Sequence, residues 1–314
     1  MRSQFLETLT TLAKEHPEIV FLTGDLGFGV VEKFQRACPE QFFNMGVAEQ
    51  NMIGVATGLA NRGFVPFTYS IINFSVLRPI EFIRNGPVSH KLPVRIVGVG
   101  PGFEYGTNGP THYGIEDIAC LRSFGLDIIV PADPARAQQA LKANWSAPQP
   151  LYFRLSKDEK LTVPELDDAT DHEGFSVLQR RQGSESPTIA LVCLGTLIVE
   201  GLRARRRLAE HGLSVELVCV ERINDSVLDH LSTYLMDFDQ IVTAEAHSVR
   251  GGLGSALTEF VCAKPRPVSV HRLGISSVPS QIGRQSTLEH NSGFDADGMV
   301  ETIRSLSLEL AIQT

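Results

Sequence analysis

Along the chain, runs that are apolar throughout alternate with stretches whose apolar positions recur every three or four residues. Phe5, Leu9, Leu12 and Ala13 recur at helical spacing with charges between them, and Pro17 ends that helix. IVFLTGD (19–25) then reads as a strand, as do VRIVGVG (94–100), LDIIVPAD (126–133) and LYFRLS (151–156). Helical patterns fall between them at 48–60, 78–90, 115–122 and 134–145. The strands show no alternation of apolar and polar positions, which is the pattern of a parallel sheet covered on both faces.

Residues 167–187 break this rhythm: they are polar, carry Gly and Ser, and read as a linker with one edge strand. Beyond them TIALVCLGTLI, SVELVCVERI, QIVTAEAH and VSVHRLGI restart the strands. The helices between them include one to about His211, one over 252–263 and a closing one that Asp295 or Asp297 caps. The pattern predicts two α/β domains joined near residues 160–187, and 314 residues suffice for a core in each.

Composition narrows the partners. A formal net charge of −8 without a long basic run argues against nucleic acid. The five cysteines are scattered, form no C-x-x-C pair and lie in or beside apolar segments, so buried thiols in a reducing cytoplasm are expected. No apolar run approaches membrane-spanning length, and the N-terminal segment is an amphipathic helix rather than a signal peptide.

Candidate chemistry is sparse on local motifs alone. TGDLGFG (23–29) follows a strand as a phosphate loop would, yet it is neither G-x-G-x-x-G nor a P-loop. GPGFEYGTNGPTHYGIED (100–117) lies between a strand and a helix, at the carboxyl edge where open parallel sheets bind ligands. Its polar side chains with most chemical scope are Asn108 and His112. Glu49 opens an apolar helix that leaves little room for a solvent face, and the helix dipole alone would favour it there by about 0.3–1 kcal/mol. Phe74 and Leu77 read as core, while Arg78/Glu81 and Glu81/Arg84 read as helical charge pairs. Neither H-E-x-x-H nor G-x-S-x-G is present, so zinc and serine hydrolase chemistry find no support.

Taken in order, TGDLG, GVAEQNMIGVATGLANRG, INFSVLRPIEFIRN, GTNGPTHYGIEDIACLRS, IIVPAD, LYFRLSK and EAHSVRGGLGSALTEF resemble the C-terminal half of a transketolase nearly end to end. The resemblance implies an α/β fold of a parallel-sheet pyrimidine-binding domain (1–160), a linker (161–187) and a mixed-sheet C-terminal domain (188–314). It also implies that Glu49 binds the aminopyrimidine ring of thiamine diphosphate, where an apolar setting keeps a proton near the ring nitrogen. Phe74 matches the aromatic that stacks on that ring. Asp25 and Leu26 match an Asp-Leu pair that reaches the cofactor, and Ile71 and Leu77 stand where further aromatics are frequent. His112 matches a substrate-facing histidine able to move protons, and Asn108 stands in place of an aspartate at a sugar hydroxyl.

Departures gather where the family binds phosphate. Lys157 aligns with an arginine, Gly29 with a serine and Gly100 with a substrate histidine; Arg2 aligns loosely with another arginine, and Arg154 adds a cation near Lys157. A phosphorylated, sulfonated or unusually shaped ketose is therefore expected. Gly24-Asp25-Leu26 lacks the second Gly and downstream Asn pair of the family's diphosphate-and-metal motif. The resemblance thus implies a separate alpha subunit that carries Mg2+ or Ca2+ and most diphosphate contacts, in an α2β2 assembly. The expected activity is ketol transfer from a ketose to an aldehyde. The alternatives are a 2-oxo acid decarboxylating or deoxyxylulose-phosphate-synthase-like beta subunit, and a non-catalytic regulatory paralogue.

Overall fold

The computed structural model describes residues 1–27, 29–178 and 188–313, and forms two compact units. The first unit comprises Met1–Tyr105 and Thr111–Thr162; the second takes Gly106–Pro110 and the chain from Val163 onward.

In the first unit the order is α1 (Arg2–Glu15), β1 (Ile19–Thr23), α2 (Glu32–Ala37), β2 (Phe42–Asn44), α3 (Glu49–Asn61), β3 (Val65–Ile71) and α4 (Ile80–Ile83). There follow β4 (Arg95–Val99), α5 (Asp117–Arg122), β5 (Asp127–Ile129), α6 (Pro134–Asn144) and β6 (Leu151–Leu155). Its strands run parallel in the order β5-β6-β4-β3-β1-β2. β1, β4 and β6 are buried along their whole length, which is why their sequences carry no polar face. Phe5 of α1 meets Phe153 at 5.3 Å and Phe34 of α2 meets Phe21 at 5.0 Å, so both helices close one side of the sheet. Arg95, fully buried, donates to the carbonyls of Trp145, Ala147 and Gln149 and pins the turn before β6; burial pushes its guanidinium down to about 10. β2 and β3 flank β1 on opposite sides, so the carboxyl ends of β1 and β3 border the crevice where chain direction switches.

Two expectations change here. The predicted helix over 78–90 is short: α4 is flanked by wide turns in which Arg78 N–H donates to Asn73 O at 3.2 Å and Ser89 N–H to Arg84 O at 3.0 Å. Pro79 and Pro87 lack the N–H that a regular helix needs, and the backbone widens around them. Helix α3 buries Met52, Ile53, Ala56 and Ala60 but exposes Gly54, Val55 and Gly58, so it has the solvent face its composition argued against.

In the second unit the order is β7 (Thr170–His172), β8 (Phe175–Leu178), β9 (Ile189–Leu194), α7 (Ile198–Glu210), β10 (Glu216–Val220), β11 (Arg222–Ile223) and α8 (Asp225–Tyr234). β12 (Gln240–Ser248), α9 (Leu253–Cys262), β13 (Ser269–Ile275), α10 (Gln285–Asn291) and α11 (Ala296–Gln313) complete it. The sheet order β13-β12-β9-β10-β8-β7 is parallel through β10 and antiparallel at β10/β8 and β8/β7, hence mixed. The expected linker is thus structured up to Leu178: β7 and β8 form a hairpin on this sheet, where Phe175 and Val177 find apolar cover. Residues 179–187 of that segment lie outside the described residues. Asp295 accepts from Gly298 N–H at 3.0 Å and so caps α11.

Cys38, Cys193 and Cys219 are buried as expected, but Cys120 is half-buried and Cys262 exposed; none of the five forms a disulfide. Among the described residues no helix is long and apolar enough to cross a membrane.

Candidate active site at the β1/β3 crevice

Glu49 begins α3 and is 2 % exposed. Its carboxylate caps no helix N–H. Oε2 instead accepts from the Arg78 guanidinium at 2.7 Å, and Oε1 has no hydrogen-bond partner among the described residues. Arg78 therefore pairs with Glu49 and not with Glu81, which accepts from Asn85, the acceptor of Arg84. The wide turn over 73–77 places the Arg78 guanidinium 4.7 Å from the Phe74 ring centroid. Phe74 and His112 then meet edge to face at 5.2 Å, a contact between residues 38 positions apart in sequence. His112 is half-buried and its Nδ1 lies 2.9 Å from the Thr111 hydroxyl.

Gly24 follows β1 and sets the floor. A Cβ built there would lie 3.5 Å from Glu49 Oε1, 3.5 Å from Ser70 Oγ and 3.6 Å from a methyl of Leu26. Ser70 Oγ, at the end of β3, is buried without a hydrogen-bond partner among the described residues. An unpartnered hydroxyl, an unpartnered carboxylate oxygen and an apolar methyl thus converge on a position kept bare by glycine. A buried hydroxyl such as that of Ser70 is seldom left unpaired, and a flat heteroaromatic ring with polar edges suits this set. The residues fit the pyrimidine of thiamine diphosphate: Glu49 and Ser70 for its polar edge, Phe74 and Leu26 for its faces. Ile71, which ends β3, and Leu77, on the turn that follows, are half-buried aliphatics, and Asp25 is exposed, with Asn44 at 3.5 Å from its carboxylate.

The residues expected at an anionic substrate end are not equivalent. Arg154 is buried and engaged: it donates to Asp117 at 2.8 Å and to Gly114 O at 2.8 Å, so its cation is spent inside the fold. Gly29 has a backbone φ of 81° and donates its N–H to the Glu32 carboxylate at 2.8 Å, an acidic neighbour for any anion. Lys157 makes no ion pair among the described residues; its ammonium lies 4.5 Å over the Tyr105 ring. Arg2 pairs with Glu159 at 3.4 Å and stands beside the phenols of Tyr69 and Tyr105. Asn108 lies on the turn Gly106–Asn108, within the second unit.

Sequence reasoning missed four residues. Arg78 was assigned to a local helical pair, because a partner 29 residues away leaves no spacing signal. Ser70 sits in a strand whose apolar neighbours conceal it. Tyr105 and the adjacent Glu104 belong to a loop in which only Asn108 and His112 attracted notice. Glu104 is buried, accepts from Lys157 N–H at 2.7 Å and from the Ser156 hydroxyl, and burial pushes its carboxyl up.

Comparison with known proteins identifies the architecture. The family profile described as transketolase, pyrimidine binding domain, matches residues 1–160, and that described as transketolase, C-terminal domain, matches 179–299. A putative transketolase C-terminal section of Methanocaldococcus jannaschii is 31% identical over 96% of this chain and 95% of its own length. An apulose-4-phosphate transketolase subunit of Phocaeicola vulgatus is 28% identical, over 96% of this chain and 95% of that protein. A 6-deoxy-6-sulfo-D-fructose transketolase subunit of a Clostridium species is 29% identical, over 98% and 94%. The solved structure described as a split gene transketolase, inactive beta4 tetramer, superposes with a TM-score of 0.81 at 31% identity, covering 97% of this chain and 96% of that one. The chain belongs to the transketolase family, as the C-terminal half that forms the beta subunit where the enzyme is split in two.

Proposed function

We propose that this subunit, joined to an alpha subunit that holds the diphosphate and its Mg2+ or Ca2+, transfers a two-carbon ketol unit from an anionic ketose to an aldehyde. The observation that carries the reading is that Glu49 Oε1 and Ser70 Oγ, which flank the Cβ position of Gly24, have no hydrogen-bond partner among the described residues. Thiamine diphosphate, when bound, supplies the carbon nucleophile and the electron sink. The chain's own residues do the rest. Glu49 holds a proton at the ring nitrogen, Phe74 and Leu26 fix the ring's plane, and Ile71 and Leu77 keep water from it. His112, in edge contact with Phe74, exchanges a proton with a substrate hydroxyl. The relatives that act, by name, on a sugar phosphate and a sugar sulfonate support an anionic donor. Exposed Phe43, Val47, Val55 and Phe82 on the first unit support burial of this surface against a partner chain, as in an α2β2 assembly. Five cysteines, none in a disulfide, support a reducing, cytoplasmic setting.

The test is reconstitution with a diphosphate-binding subunit and a panel of ketoses and aldoses. Ketol transfer without carbon dioxide release is expected, and Glu49→Ala should lower it by about 100-fold or more. Transfer from no ketose, or carbon dioxide release from a 2-oxo acid, would overturn the reading in favour of a decarboxylating relative.

A further inference from the structure

Gly100, which ends the run after β4, has a backbone φ of 90°, and a Cβ there would lie 2.2 Å from Cε2 and 2.4 Å from Cδ2 of Tyr105. The Tyr105 ring therefore occupies the volume that a side chain at position 100 would need, and position 100 is where the family resemblance expects a substrate histidine. That ring is placed among groups already assigned to substrate. Its centroid lies 6.3 Å from that of His112, Lys157 Nζ stands 4.5 Å over its centroid, and the Arg2 guanidinium adjoins its hydroxyl. Glu104, buried one residue earlier, holds Lys157 N–H and the Ser156 hydroxyl, so the two loops that carry Tyr105 and Lys157 are tied together. Contacts thus run without a break from Glu49 through Arg78, Phe74, His112 and Tyr105 to Lys157.

We propose that Tyr105 is a specificity-determining residue of the ketose site: its phenol replaces the side chain absent at Gly100 as a hydrogen-bond partner of the donor, and its ring carries Lys157 to the donor's anionic end. This rests on the proposed function. It commits the site to a ketose with a terminal phosphate or sulfonate, because an ammonium without an ion pair takes either.

The experiment uses the reconstituted complex with D-fructose 6-phosphate, 6-deoxy-6-sulfo-D-fructose and D-fructose as donors, the first two separating phosphate from sulfonate preference. Tyr105→Phe, which removes only the hydroxyl, should raise KM for the preferred anionic donor about tenfold while kcat stays within about twofold. Lys157→Ala should erase the preference for that donor over D-fructose. A KM unchanged in both Tyr105→Phe and Tyr105→Ala overturns the proposal while leaving ketol transfer standing. Should the wild-type complex transfer nothing, phosphorus NMR line broadening of orthophosphate by the full chain decides. Broadening that falls in both Lys157→Ala and Tyr105→Phe supports the site. No broadening, or broadening equal in wild type and both variants, overturns it.

Discussion

The Arg78 guanidinium donates to Oε2 of Glu49 at 2.7 Å across 29 residues of sequence, which leaves the opposite oxygen of a buried carboxylate for a ligand. Glu49 is thereby held in place at one corner, with the wide turn after β3 setting the position of the holder. Removing the holder leaves a buried acid without its counter-charge. Because Arg78 is 38% exposed, water can partly replace it, so Arg78→Gln should cost about 1–3 kcal/mol, less than for a fully buried pair. Urea unfolding of the single variants and of Glu49→Gln/Arg78→Gln checks this: the double variant should be more stable than the sum of the single losses allows. Strict additivity would mean the two groups are not coupled.

Gly24 separates a steric role from a conformational one. Its Cβ position makes only ordinary contacts of 3.5–3.6 Å, and it is not among the glycines of positive φ. Gly24→Ala should therefore fold and still take up thiamine diphosphate in the reconstituted complex. Gly24→Val extends two methyl groups toward Glu49 and Ser70, and should weaken uptake by about 100-fold, measured by protein fluorescence on titration with the cofactor. Equal uptake by both variants would place the ring elsewhere.

At Gly100 both effects act together. A φ of 90° penalises any L side chain, by about 1–2 kcal/mol, and the 2.2 Å approach of Tyr105 adds an overpacking cost of about 1–3 kcal/mol. Gly100→Ala should lower stability by about 2–5 kcal/mol in a denaturant titration. Combining it with Tyr105→Ala should recover the overpacking share of that loss but not the backbone share.

Glu104 makes stability depend on pH with a defined sign. Burial raises its carboxyl above the ordinary 4.5, so between 4.5 and the raised value the folded state holds a proton that the unfolded state has lost. Its contribution is present below pH 4.5 and falls as pH rises through the folded value. The stability of wild type minus that of Glu104→Gln should therefore decline as pH increases across this window, read from urea midpoints at successive pH values. A difference independent of pH would show that Glu104 titrates as it does in the unfolded chain.

What could be read from residues alone followed from local periodicity. Runs with no alternation of apolar and polar positions, such as IVFL and IVGV, had to be buried on both faces, and β1 and β4 are. The pattern failed where a local rule met a tertiary one. Pro79 and Pro87 broke a helix whose apolar spacing was intact, and the polar segment before residue 179 joined a sheet because Phe175 and Val177 had a surface to cover. Arg154 kept the residue type of an anion-binding cation while its position on β6 gave it to Asp117.

Element order, the two α/β halves and the kinds of side chain offered at the carboxyl edge were legible in the residues alone, because helix and strand periodicities and family motifs are written in consecutive positions. Packing alone brought Glu49 to Arg78, set Ser70 and Gly24 beside its other oxygen and put the Tyr105 ring in the space above Gly100. Those relationships join residues on separate elements, and their distances are set by how strands and turns pack, which no local spacing encodes.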